Sequence, residues 1–155
     1  MIKINVILDN KNWKKYIKSP NSYINKKIKL LNKKDKLYKN KCLICSLLLS
    51  DTQNIKRLNK KFRNKNKATD VLSFPFYSKK ELYQKLINEE EIYLGDIIIN
   101  LNKIKDKKKS KNFKIEFNNL WIHGLVHLFG HDHKREKDYL VMKKIEKKYS
   151  SFVNE

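Results

Sequence analysis

Apolar residues recur at every second position from Ile2 through Ile4 and Val6 to Leu8, the period of a strand with one buried face. Pro20 and Asn21 precede Ser22, which reads as a helix N-cap, and Ile24, Ile28 and Leu31 then follow at helical spacing. Residues 33–40 are polar and read as a connection. Cys42 to Leu49 is apolar enough for a central strand. Asp51 can cap a second helix with Ile55, Leu58 and Phe62 on one face, and residues 64–67 form a basic loop. Asp70 to Phe76 reads as a strand that Pro75 places at an edge or ends. Residues 79–88 fit a short helix or a loop, and Ile92 to Asn100 fits another strand. The basic stretch 103–111 is a helix face or a loop. Ile115 to Phe129 is helical, and Lys134 to Tyr149 forms a last helix with Tyr139, Met142, Ile145 and Tyr149 on one face. These elements predict one α+β domain over residues 1–155, a mixed sheet of about four strands packed with four to five helices. The length suffices to bury a core without disulfides.

Charge narrows the choice of partner. Lys plus Arg number 37 against 16 Asp plus Glu, a formal net charge of +21. This excludes an acidic buffer protein and puts a polyanion first, nucleic acid before membrane. The excess must be discounted, however. The chain has 34 Lys, 18 Asn and 17 Ile but one Ala and two Pro, the signature of A/T-rich codons. Two cysteines make no disulfide framework and point to a reducing compartment. No apolar run approaches the roughly 20 residues of a membrane span, and residues 1–19 lack a signal-peptide apolar region. The expectation is a cytoplasmic protein without a membrane partner.

The same bias makes one cluster conspicuous. All four histidines, His123, His127, His131 and His133, fall within eleven positions, and Gly124 and Gly130, two of only three glycines, lie among them. Residues four apart on a helix are separated by about 400° and about 6 Å, so His123 and His127 share a face and can meet one metal ion. A third ligand eight or ten residues further along a straight helix would be too distant. Gly130 can end the helix in a left-handed turn and bring back His133 or His131. Three neutral imidazoles with a vacant fourth position are the catalytic form of a zinc site, in which bound water ionises near neutral pH. Cys42 and Cys45, three apart in a strand, point to opposite faces and read as core residues. Asp132 reads as a partner for a ligand imidazole or a cap for the turn. A zinc metalloprotease class shows similar spacing, H-E-x-x-H-x-x-G-x-x-H, but Gly124 stands where that class has its glutamate base.

The segment His123-Gly-Leu-Val-His-Leu-Phe-Gly-His-Asp-His133 resembles the H-G-x-L-H-L-x-G-Y-D-H signature of the YbeY endoribonucleases. Leu58-Asn-Lys-Lys-Phe-Arg63, followed by Thr69-Asp-Val-Leu-Ser-Phe-Pro75, is similar to that family's L-N-x-x-[YF]-R and T-D-V-L-S-F-P blocks, and Leu94-Gly-Asp-Ile97 to its L-G-D-I strand. Val126 and His131 depart from the signature, where Leu and Tyr are usual. The resemblance implies a single-strand-specific, metal-dependent endoribonuclease acting at the 3′ end of small-subunit ribosomal RNA and in ribosome quality control. It implies a mixed sheet with the histidine motif on a helix facing a cleft. It also implies one Zn2+ on His123, His127 and His133, with Arg63 as the functional arginine. A guanidinium fork suits a scissile phosphate or its transition-state charge. Thr69, Asp70 and Ser73 are candidates to line the cleft. Lys61, Lys65, Lys67 and the 103–111 lysines are candidates for phosphate contact. The expected partner is RNA, as ribosomal RNA, ribosome or small-subunit precursor, with no DNA. Two other readings stay open: a non-catalytic RNA-binding assembly factor with a structural metal, and a zinc hydrolase on another substrate.

Overall fold

Strand β1 (Ile2–Leu8) pairs in parallel with β2 (Cys42–Ser50), and β2 pairs in parallel with β4 (Glu91–Asn100). Strand β3 (Val71–Pro75) runs antiparallel to β4 at one edge of the sheet, so the order is β1-β2-β4-β3. The computed structural model describes residues 1–154; Glu155, the end of the expected domain, lies outside the described residues. β2 is central because its apolar run serves both faces. Leu43, Cys45, Leu47 and Leu49 enter the main core, while Leu48 faces a smaller cluster on the other side.

Five helices complete this α+β domain. Helices α1 (Pro20–Lys34), α4 (Ser110–Leu128) and α5 (Glu136–Val153) pack together over one face of the sheet. The main core between them includes Trp13, Phe113, Phe117 and Trp121, all essentially inaccessible to solvent. Buried Asn118 ties these helices together. Its Oδ1 accepts from Tyr23 Oη at 3.1 Å and Trp121 Nε1 at 3.0 Å, and its Nδ2 donates to Asn154 Oδ1 at 2.8 Å. Helix α2 (Thr52–Arg63) covers part of the opposite face and buries its Ile55 in a cluster with Leu72 and Ile98. Helix α3 (Lys79–Asn88) connects β3 to β4 and opens with a capping box between Ser78 and Glu81.

Several expectations are met in detail, and others are corrected. Asp51 caps α2 by accepting from the Asn54 backbone at 3.0 Å. Pro75 ends the edge strand β3, where a missing N–H is tolerated. The cap of α1 is Ser19, not Ser22, because Pro20 occupies the first helical turn, where it needs no hydrogen bond. Phe62 was expected on the buried face of α2 but is 60% exposed at its last turn, and Tyr139 is 45% exposed. Helix α4 begins at Ser110, five residues earlier than its apolar pattern. Residues 11–15 form a 3-10 turn around buried Trp13, whose indole N–H donates to Ser50 O at 3.0 Å. Among the described residues, no helix is long and apolar enough to cross a membrane.

Candidate metal centre and basic cleft

The C-terminal half of α4 lies against β3 and β4, and Gly124 sets how closely. A Cβ built there would come within 2.6 Å of Ile97 Cγ2 and 3.1 Å of Ser73 Oγ. The glutamate of the zinc proteases therefore has no room at this position. His123, the residue before Gly124, and His127, three residues after it, project from the same face of α4. Gly130 then turns the chain at φ +84°, with its N–H on His127 O at 2.9 Å and the His131 N–H on Val126 O at 3.3 Å. This fold-back brings His133 beside the pair, its ring centroid 5.8 Å from that of His123 and 5.0 Å from that of His127. Asp132 stabilises the turn by accepting from the His133 backbone N–H at 2.7 Å.

Hydrogen bonds define which imidazole nitrogen is free. His127 Nδ1 lies 2.9 Å from the carbonyl oxygen of His131. A carbonyl only accepts, so Nδ1 carries the proton and Nε2 a bare lone pair. His123 Nδ1 lies 2.6 Å from Glu146 Oε1, and Glu146 Oε2 lies 2.9 Å from Lys143 Nζ. Burial pushes the Glu146 carboxyl up, but its hydrogen bonds to Lys143 and His123 outweigh this and leave its pKa below the ordinary glutamate value. The carboxylate is therefore the acceptor from Nδ1, and in neutral His123 the lone pair too lies on Nε2. The two Nε2 atoms are only 3.1 Å apart. Two facing lone pairs repel unless a cation stands between them. Burial, and next the neighbouring His123, hold His127 below the ordinary histidine pKa, which favours its neutral, ligating form. Ligand atoms of His123, His127 and His133 all lie within 4.8 Å of one another. Nitrogens around a tetrahedral zinc are roughly 3.4 Å apart at ordinary bond lengths. The donor set and its protonation fit a metal ion.

The triad opens into a cleft of about 1080 Å³ between α4, β3 and the loop after α2. Arg63, Lys65 and Lys67 line it, as do Thr69, Asp70 and Ser73. Arg63 is half-anchored: its Nη2 donates to Ser73 O at 2.7 Å and its guanidinium lies 5.4 Å from the Phe74 ring centre. Asn64, at φ +54°, ends α2 and directs residues 65–67 along the cleft. Lys61 is not among the lining residues; its Nζ lies 5.2 Å from the Phe62 ring centre. Lys79 and Lys134 add positive charge, opposed by Asp70 and Asp132.

A family model described as Endoribonuclease YbeY matches residues 7–154 of this chain. The chain belongs to the YbeY family. Similar YbeY endoribonucleases include that of Pelagibacter ubique, 42% identical over 99% of this chain and 97% of the relative. That of Buchnera aphidicola is 38% identical over 98% and 92%. The solution structure of TM1509 from Thermotoga maritima matches with a TM-score of 0.59 and 26% identity, covering 97% of this chain and 89% of that one. Set against this YbeY fold, three of the four histidines meet as a triad, while His131 contributes its carbonyl. The cleft gathers Arg63, Lys65 and Lys67 but not Lys61. Of the two readings of Asp132, the structure bears out the cap of the turn; the carboxylate partner of the imidazole is Glu146, 23 residues from His123 on α5.

Proposed function

We propose that this YbeY family member is a zinc-dependent, single-strand-specific endoribonuclease. We place it in maturation of the 3′ end of small-subunit ribosomal RNA and in ribosome quality control, in the cytoplasm. The observation that carries the reading is the convergence of His123, His127 and His133, with the two helix Nε2 atoms 3.1 Å apart, at the head of a basic cleft. His123, His127 and His133 would hold the ion, and bound zinc supplies Lewis acidity and an ionisable water. Glu146 and the His131 carbonyl keep the two helix imidazoles in the tautomer that leaves Nε2 free.

Arg63 neutralises the scissile phosphate and its developing charge. Its bond to Ser73 O keeps it on β3, so less ordering remains to be done when RNA arrives. Lys65 and Lys67 draw the backbone along the cleft, and Lys61 meets phosphate outside it. Basic walls suit a phosphodiester better than the amide of a zinc protease, whose glutamate the approach at Gly124 excludes. Two free cysteines, Cys45 buried and Cys42 half-buried, fit a reducing compartment.

The test compares cleavage of single-stranded RNA by metal-loaded wild type, His127→Ala and Arg63→Ala, each with unchanged circular dichroism. His127→Ala loses metal and activity together. Arg63→Ala keeps its metal and loses about 100-fold or more in rate. Full activity in either variant contradicts the assignment of that residue.

A further inference from the structure

Strand β3 has the cleft on one side, and on the other side the sheet carries aromatic rings. Phe74 pairs with Asp96, and Asp96 with Ser46, which puts the three side chains on the face away from the main core. Tyr93, between buried Ile92 and Leu94, shares that face; its hydroxyl lies 2.8 Å from Ser46 Oγ and 2.6 Å from Asp96 Oδ1. Phe62 and Phe76 flank this row and are 60% and 66% exposed. Phe62 packs on Phe74 at 5.6 Å and 64°, and Phe76 packs on Tyr93 at 6.0 Å and 76° and on Tyr77 at 5.0 Å and 81°. These steep contacts brace the two rings without stacking on them, so a flat group can still lie on an exposed ring face.

Two observations select the ligand. Cations stand among the rings: Lys61 Nζ is 5.2 Å from the Phe62 ring centre, and Arg63 is 5.4 Å from that of Phe74. Arg63 and Phe76 also line the cleft, so the aromatic face continues from it around the edge of β3. Flat rings interleaved with cations suit a single nucleic-acid strand, whose bases stack while its phosphates meet charge. A protein interface centre also gathers aromatic rings and arginine, but it is depleted of lysine, which here stands over the Phe62 ring.

We propose that Phe62 and Phe76 are stacking seats for unpaired nucleobases of an RNA strand that passes from the cleft around β3. This rests on the cleft being an RNA-cleaving site and deepens it. A base held inside a duplex cannot lay its face on a ring, so these seats select strands unpaired beside the cut.

The experiment measures binding of the full-length, zinc-loaded protein to a short 2′-O-methyl oligoadenylate and to a matched abasic strand. Phe62→Ala/Phe76→Ala is expected to weaken oligoadenylate binding about tenfold for each ring lost and to leave abasic-strand binding and zinc content unchanged. In Phe76→Trp, indole fluorescence should be quenched by oligoadenylate and not by the abasic strand. The seats are refuted if the double variant binds oligoadenylate as tightly as wild type, or if both strands weaken equally. RNA cleavage by the wild type is scored separately. Base-dependent binding without cleavage would remove the enzymatic reading and keep the seats. Cleavage with normal binding by the double variant would do the reverse.

Discussion

Glu146 is held between Lys143 and His123, and its side chain is only 14% exposed. Removing it leaves His123 free to rotate or to place its proton on Nε2, which blocks metal binding. Glu146→Ala should therefore weaken zinc binding 10- to 100-fold in a chelator competition. Glu146→Gln, which still offers an oxygen to Nδ1, should lose less. Equal affinity in all three proteins would show that the carboxylate does not position the ligand. This residue was illegible in the sequence because its partner lies on another helix. The triad itself was legible, since helical spacing and Gly130 act locally. The choice between His133 and His131 was not, because it depends on the turn that commits the His131 carbonyl to His127.

The elements were readable where apolar period and capping chemistry agree. Asp51 is the clear case. It accepts from the Asn54 backbone and from Asn10 Nδ2 at 2.9 Å, and these bonds hold its pKa below the ordinary 3.8, against a smaller push upward from burial. Asp51→Ala should cost about 1 kcal/mol of stability at neutral pH, and Asp51→Asn less. The sign follows from the lowered pKa. The stabilisation is complete above the unfolded value and is lost as pH falls through the folded one. Chemical denaturation should therefore show the difference between wild type and Asp51→Ala narrowing in acid, and a constant difference across pH would contradict the cap. Phe62 misled because helical period cannot tell a core ring from one at an uncovered helix end. The turn around Trp13 went unread because a single indole carries no period. The lysine-rich stretch before α4 hid the helix start at Ser110, since Ser110, Lys111 and Asn112 are all polar and Phe113 is the first residue of the buried face.

For the whole molecule, a net charge of +21 matters through where the cations stand. Arg63, Lys65, Lys67, Lys79 and Lys134 line one cleft. Five phosphate contacts on single-stranded RNA give a slope of log affinity against log salt of about −3.5. Lys65→Gln/Lys67→Gln should flatten it by about 1.4, as measured by fluorescence anisotropy across salt concentrations; an unchanged slope would place the phosphates elsewhere. The sequence could not separate this local cleft from codon-driven lysine, because only folding brings the loop after α2 beside the end of α4.

The central claim is that one ion held by His123, His127 and His133 enables RNA cleavage. Chelator-stripped protein titrated with zinc tests it most directly, with bound metal and single-stranded RNA cleavage followed in the same samples. Activity should be absent at the start, rise in proportion to occupancy and level off at one equivalent, with His127→Ala showing neither tight binding nor recovery. Stripped protein that cuts RNA at the full rate would contradict the claim.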